Sequence, residues 1–159
     1  MAYKVREIIG QQPLDVTSTT QQHPLGTRVR AWDPVYGEGE FVYLKGLAST
    51  ALGELVVYDQ YALTTTRATA GSRGPAAVAM SANVASQYGW YQIGGSAVVK
   101  SVTVAANASV YATATAGTVD DAVVSGDKVD GARFKTADGT PSAGFVVTQL
   151  DRPAMNGNG

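Results

Sequence analysis

The residue types that carry most protein chemistry are scarce here and poorly spaced for it. His23 is the only histidine, set between Gln22 and Pro24 in an amide-rich run. A general base needs a held orientation and a nearby nucleophile, which such a run does not supply, so catalysis through His23 is not expected. The absence of cysteine removes a thiolate nucleophile, a disulfide framework and any zinc site built on sulfur. Asp120, Asp121, Asp127 and Asp130 offer oxygen ligands of the kind Ca²⁺ takes, but their spacing is not that of an EF-hand loop and no Glu closes it. A solvated turn is the expected role. Gly71-Ser72-Arg73-Gly74 gives a flexible loop with one guanidinium, lacks the Lys-Ser/Thr ending of a phosphate-binding loop, and reads as a hairpin connection. Tyr88, Trp90 and Tyr91 would stack on sugar rings if they faced outward, with Tyr88 and Trp90 on one side of a strand and Tyr91 on the other. Such aromatics more often serve a core or a protein interface. The chain is therefore read as having no catalytic residues, no metal and no cofactor.

The elements that must position these residues belong to a chain of 159 amino acids and 16.5 kDa, a length for one domain with a real core. Charged residues make up 16%, against about 25% in ordinary soluble domains. Twelve Lys and Arg against thirteen Asp and Glu leave a net charge of −1, which excludes nucleic-acid binding through bulk positive charge. The first ten residues carry mixed charges without an apolar h-region, so no secretory signal is expected and the protein should stay where it is made. Two long uncharged stretches, 74–99 and 101–119, are studded with Ser, Thr, Asn and Gln, and neither reads as a membrane span.

Residues 1–26 read as an extended N-terminal arm, since 11–26 hold two prolines and too few large apolar groups to offset ordering entropy. Residues 151–159 read as a flexible tail. Between them, 27–150 should form an all-β body, a single-domain β-sandwich or jelly-roll-like barrel. Apolar residues recur there with a period of two, as in Arg28-Val29-Arg30-Ala31-Trp32 and Ala132-Arg133-Phe134-Lys135. The runs 39–45, 54–58 and 144–148 are more continuously apolar, as strands covered on both faces tend to be. Turn signals fall at Gly37-Glu38-Gly39, 71–74, Gly94-Gly95, Asp130-Gly131 and Asp138-Gly139. One helical turn is conceivable over Val5 to Ile9, and another from a capping box at Thr118-Val119-Asp120-Asp121. Residues 76–87 are ambiguous between helix and strand, and strand is preferred.

From Gly74 to Val119 there is one charge, Lys100, where the chain's own frequency would give about seven. Tight packing of small residues explains part of this. A protein–protein interface explains the rest better, because interface centres lose charge and gain aromatics such as Tyr88, Trp90 and Tyr91.

Several runs support a resemblance: Arg73-Gly74-Pro75-Ala76-Ala77-Val78-Ala79-Met80-Ser81-Ala82-Asn83, Gln87-Tyr88-Gly89-Trp90-Tyr91-Gln92-Ile93-Gly94-Gly95, Ala112-Thr113-Ala114-Thr115-Ala116-Gly117, and Thr148-Gln149-Leu150-Asp151-Arg152-Pro153. Together they resemble the capsid decoration, or cement, proteins of tailed bacteriophages with podophage-type heads and an HK97-like major capsid protein. The resemblance spans roughly 39–153. It implies a non-enzymatic virion protein on the outer surface of the head, present in the host cytoplasm during assembly and cementing neighbouring capsomers. The implied partners are the major capsid protein and copies of itself, as a dimer or trimer, with no nucleic acid and no membrane. Tyr3, Val5, Ile8, Ile9, Leu14 and Val16 on the arm, and Tyr88, Trp90 and Tyr91 on the body, are the expected contact residues. The alternative is a head-displayed β domain that binds a host-surface glycan.

Overall fold

The computed structural model describes residues 4–5, 12–46, 50–83 and 85–158. Within them the protein is all-β, with eleven strands in one hydrogen-bonded network and no helix. The strands are β1 (Lys4–Val5), β2 (Arg28–Asp33), β3 (Gly37–Lys45), β4 (Leu55–Tyr58), β5 (Thr65–Arg67), β6 (Gly74–Ala79), β7 (Tyr88–Lys100), β8 (Ser109–Ala112), β9 (Val119–Asp120), β10 (Lys128–Phe134) and β11 (Phe145–Met155). Every strand pairing is antiparallel, and the main path runs β1-β2-β3-β7-β6-β11-β10-β8-β9, with β4 joined to β5 and β6.

A fork organises this network. The C-terminal half of β7 pairs with β11 from Lys100↔Phe145 to Gly94↔Asp151. Beyond that point the two strands part, and β6 bridges them, with Pro75 opposite Ala154 on β11 and Val78 opposite Gln92 on β7. One network thereby folds into layers. Alternation then fills three cores. Phe41, Tyr43 and Trp90 face a cluster with Leu14, Val29, Ala31 and Met80. Their neighbours Val42, Leu44, Tyr91 and Ile93 face the opposite way and meet Val56, Tyr58, Ala77 and Ala79. The other side of β4 and β6, through Leu55, Val57, Ala76 and Val78, packs on the largest cluster, which includes Val99, Val129, Phe134, Val146 and Leu150. Strands β3, β4 and β6 are thus buried on both faces, which is why their sequences are nearly continuous in apolar residues.

Several expected turns and ends differ. Gly94-Gly95 is no turn: it is the bend where β7 changes partner, and the register slips between Glu40↔Gly94 and Phe41↔Gln92. Gly95 has φ +86°, and a Cβ there would run into the Glu38 carbonyl oxygen. Asp130-Gly131 is likewise a bulge within β10, where a Cβ on Gly131 would sit 2.5 Å from the Asp151 carbonyl oxygen. Residues 71–74 join β5 to β6, which flank β4 on opposite edges, so the loop passes over β4 and is not a hairpin. Ladder bonds override the capping-box pattern at Thr118, because Val119 and Asp120 pair with Ala112 and Tyr111. At Val5, whose backbone pairs with Ala31, strand replaces the helical turn, the remainder of which lies outside the described residues.

The terminal segments are also less separate than their composition suggests. Residues 12–26 lie against β3 and β7, with Ser18 bridged to Tyr88 and Leu14 inside a core cluster. The composition of 151–159 reads as a flexible tail, yet β11 continues to Met155, and Pro153 and Met155 are buried. Backbone pairing with β10 and β6 carries this stretch despite its prolyl and polar content.

Candidate functional site

Of the expected contact residues, Trp90 and Tyr91 are 0% and 1% exposed, so neither reaches a partner surface. This corrects their assignment as contact residues, and the cause is that β7 is covered on both faces at that point. Tyr91 is further tied by a hydrogen bond from the Asn83 side-chain amide, and burial pushes its phenol up from the usual tyrosine value. Leu14 is likewise interior, whereas Val16 is exposed and Tyr88 half-buried. Val5 is placed by its backbone on β1. Tyr3, Ile8 and Ile9 lie outside the described residues.

His23 is held, not loose. Its Nε2 accepts the backbone N–H of Gln12 at 3.1 Å, and its ring stands edge-on to Tyr43 with centroids 5.1 Å apart. Gln12 in turn joins the segment to the body: the Tyr43 hydroxyl donates to its Oε1 at 2.7 Å and the Trp90 indole donates to its carbonyl at 2.9 Å. These contacts fasten the segment to the body. Nothing in the sequence marked Gln12 for that part, since one glutamine in a polar run carries no periodic signal.

The acidic residues do not converge. Asp120 and Asp121 accept backbone N–H groups of Ala122 and Ala105, Asp127 accepts that of Gly71, and Asp130 accepts the amides of Asn156 and Asn158. Burial, followed by the neighbouring Asp121 charge, holds Asp120 above the usual carboxylate range, against the lowering effect of the Ala122 hydrogen bond. Among the described residues no group of three or more His, Asp or Glu side chains could hold a metal ion. A polar groove of about 370 Å³ lies over the Gly131 bulge, but Lys128 and Arg133 alternate there with Asp130 and Asp151, so it focuses no field of one sign.

A different surface stands out. The ends of β7, β10 and β11 lie together, and the segments 101–108 and 136–144 are bonded to one another: Ser101 N–H to Gly144 O at 2.9 Å, and Asp138 N–H to Val104 O at 3.3 Å. The carboxylates that lie here are turned onto the protein's own backbone, Asp138 accepting from Val104 and Asp121 from Ala105. What remains outward is mainly small and neutral, including Val102, Thr103, Ala105, Ala106, Pro141 and Ala143, with Asp138 the one charged residue of the two segments and itself exposed. Beside it opens an apolar cleft of about 230 Å³ lined by Tyr36, Leu52, Val98, Pro141 and Phe145. Lys100, the lone charge of the 74–119 stretch, is engaged with buried Glu54 at 3.4 Å. The charge-poor stretch therefore serves two ends: residues 76–81 and 89–93 fill cores, and 102, 103 and 105–107 face outward while Val104 enters the largest core cluster.

No protein-family model and no curated protein matches the chain. No helix among the described residues is long and apolar enough to cross a membrane.

Proposed function

We propose that the chain is a non-enzymatic structural protein of a tailed-phage virion, a decoration protein that binds the outer surface of the head and cements neighbouring capsomers. The observation that supports this reading is the charge-poor end formed by residues 101–108 and 136–144 with the Leu52 cleft beside it. A partner that covers this end meets mostly small, neutral side chains, and the local carboxylates Asp121 and Asp138 each already accept a backbone N–H of the protein. Small side chains let a partner's backbone approach closely, and charge depletion is the composition of interface centres. Many copies on a lattice multiply a modest affinity per contact. The proposed partners are the major capsid protein and further copies of the chain. Carbohydrate binding loses its motivation, since the indole of Trp90 and the phenol of Tyr91 are interior.

The deciding experiment compares cryo-EM maps of heads assembled with and without this protein. Density over inter-capsomer junctions only in the first map is expected. Identical maps would refute the reading.

A further inference from the structure

We infer that residues 12–23 form a proton-sensitive clasp, closed while the His23 imidazole is neutral and opened when that ring takes up a proton. The Gln12 N–H points at His23 Nε2 at 3.1 Å, which requires a lone pair on that nitrogen and places the ring proton on Nδ1. Protonation would set an N–H against an N–H. Gln12 has little freedom to turn away, because each of its other polar groups is engaged. Its side-chain amide donates to Val16 O at 2.7 Å and to Tyr88 O at 3.1 Å, and its two oxygens accept from Tyr43 and Trp90. The imidazole packs against both the Tyr43 and Trp90 rings, at 5.1 and 5.5 Å.

Among the described residues, the titratable groups facing this site from the packed strands are Tyr43 on β3 and Tyr88 on β7, with the Lys45 ammonium 5.9 Å from the Tyr88 ring. Burial holds the Tyr43 phenol above its ordinary value, so it stays protonated where histidine titrates. Lysine is a cation. None of these supplies an anion to stabilise an imidazolium, and the repulsion falls on the Gln12 contact. Once that contact fails, the hold of Gln12 on the Trp90 indole and the Tyr43 hydroxyl loosens, and the segment opens from its Gln12 end while Ser18 stays paired with Tyr88. This inference is independent of what the protein binds.

The test is an NMR titration of the full chain from about pH 8 to about pH 5, the range over which histidine changes charge. With one histidine and two tryptophans, His23 is assigned at once and Trp32 serves as the internal reference. The Trp90 indole N–H and the Gln12 amide are expected to shift with the midpoint of the His23 ring, while amide exchange over 12–16, corrected for intrinsic rate, accelerates about tenfold. A His23 titration that leaves the Trp90 indole and the Gln12 amide unmoved would overturn the clasp. His23→Gln offers an acceptor that does not titrate and should abolish the pH response; the same response in that variant would equally refute the inference. The native titration decides alone if the variant does not fold.

Discussion

Arg67 grips Glu54 through two parallel hydrogen bonds, Nε to Oε2 at 2.9 Å and Nη2 to Oε1 at 2.7 Å, around a carboxylate that is 1% exposed. The same carboxylate accepts the Ala51 N–H at 2.9 Å and faces Lys100, while Arg67 reaches on to the Ala116 carbonyl at 2.9 Å. One acidic side chain thereby ties β4, β5, β7 and the loop after β8 at the point where the layers meet. Coulomb attraction in such a site does little more than offset desolvation, so the cluster specifies geometry more than it adds stability.

Removing one partner should therefore be costly and removing both should not. Arg67→Met leaves a buried carboxylate without its bidentate partner and is expected to lower unfolding stability by about 3–5 kcal/mol. Adding Glu54→Gln should recover much of that loss. Urea unfolding of the two single variants and the double variant measures the coupling, and additive losses would show that Glu54 does not depend on Arg67.

Trp90→Ala should destabilise the protein by about 3–5 kcal/mol through the cavity it leaves beside Phe41 and Tyr43. Trp32→Ala, at a site 38% exposed, should cost much less. Equal shifts in urea midpoint would contradict the layered packing.

Sequence patterning revealed the strand content and the two-sided burial of β3 and β4, because a period of two and continuous apolar runs report how many faces of a strand are covered. It misread features set by partners distant in sequence. Gly94-Gly95 and Asp130-Gly131 have the composition of turns, and only the opposing Glu38 and Asp151 carbonyls show that a bulge needs glycine there. Residues 12–26 are too polar to form a core of their own, but they borrow one through Leu14 and the Trp90 indole. Tyr88, Trp90 and Tyr91 stood out as an aromatic group, yet charge depletion does not distinguish a core strand from an interface strand. Glu54, a lone acid abutting Leu55-Val56-Val57, is a local signal of a buried charge that needs a partner.

Gly95→Ala should cost about 2–5 kcal/mol, the sum of left-handed strain and a collision with the Glu38 carbonyl. Differential scanning calorimetry measures it, and an unchanged melting temperature would mean that β7 does not bend as described.

Asp120 gives a pH dependence of definite sign. Its folded value is raised by burial, so the folded chain holds this proton more tightly than the unfolded chain. The stabilisation is complete below the ordinary carboxylate range and is lost as pH rises through the raised folded value. Asp120→Asn, which keeps the oxygen facing Ala122 N–H, should therefore raise the melting temperature at pH about 7 and lose that advantage near pH about 3. A constant advantage at both pH values would attribute the effect to something other than this titration.

If the charge-poor end is the surface that meets the capsid, a further charge placed at its centre should prevent attachment without unfolding the protein. Val102→Asp and Leu52→Glu substitute side chains that are 49% and 51% exposed, so each should change unfolding stability by less than about 0.5 kcal/mol. A carboxylate forced into a covered interface has no partner and must shed its water, a cost of several kcal/mol that corresponds to a loss of occupancy of a hundredfold or more. Tyr61→Asp, in the connection from β4 to β5 and 98% exposed, is the control for surface charge outside the 101–108 and 136–144 segments and the Leu52 cleft. Heads mixed with each variant and pelleted should carry the Tyr61 variant at the native level and little of the other two. Native-level binding by Val102→Asp and Leu52→Glu would move the contact surface elsewhere on the chain.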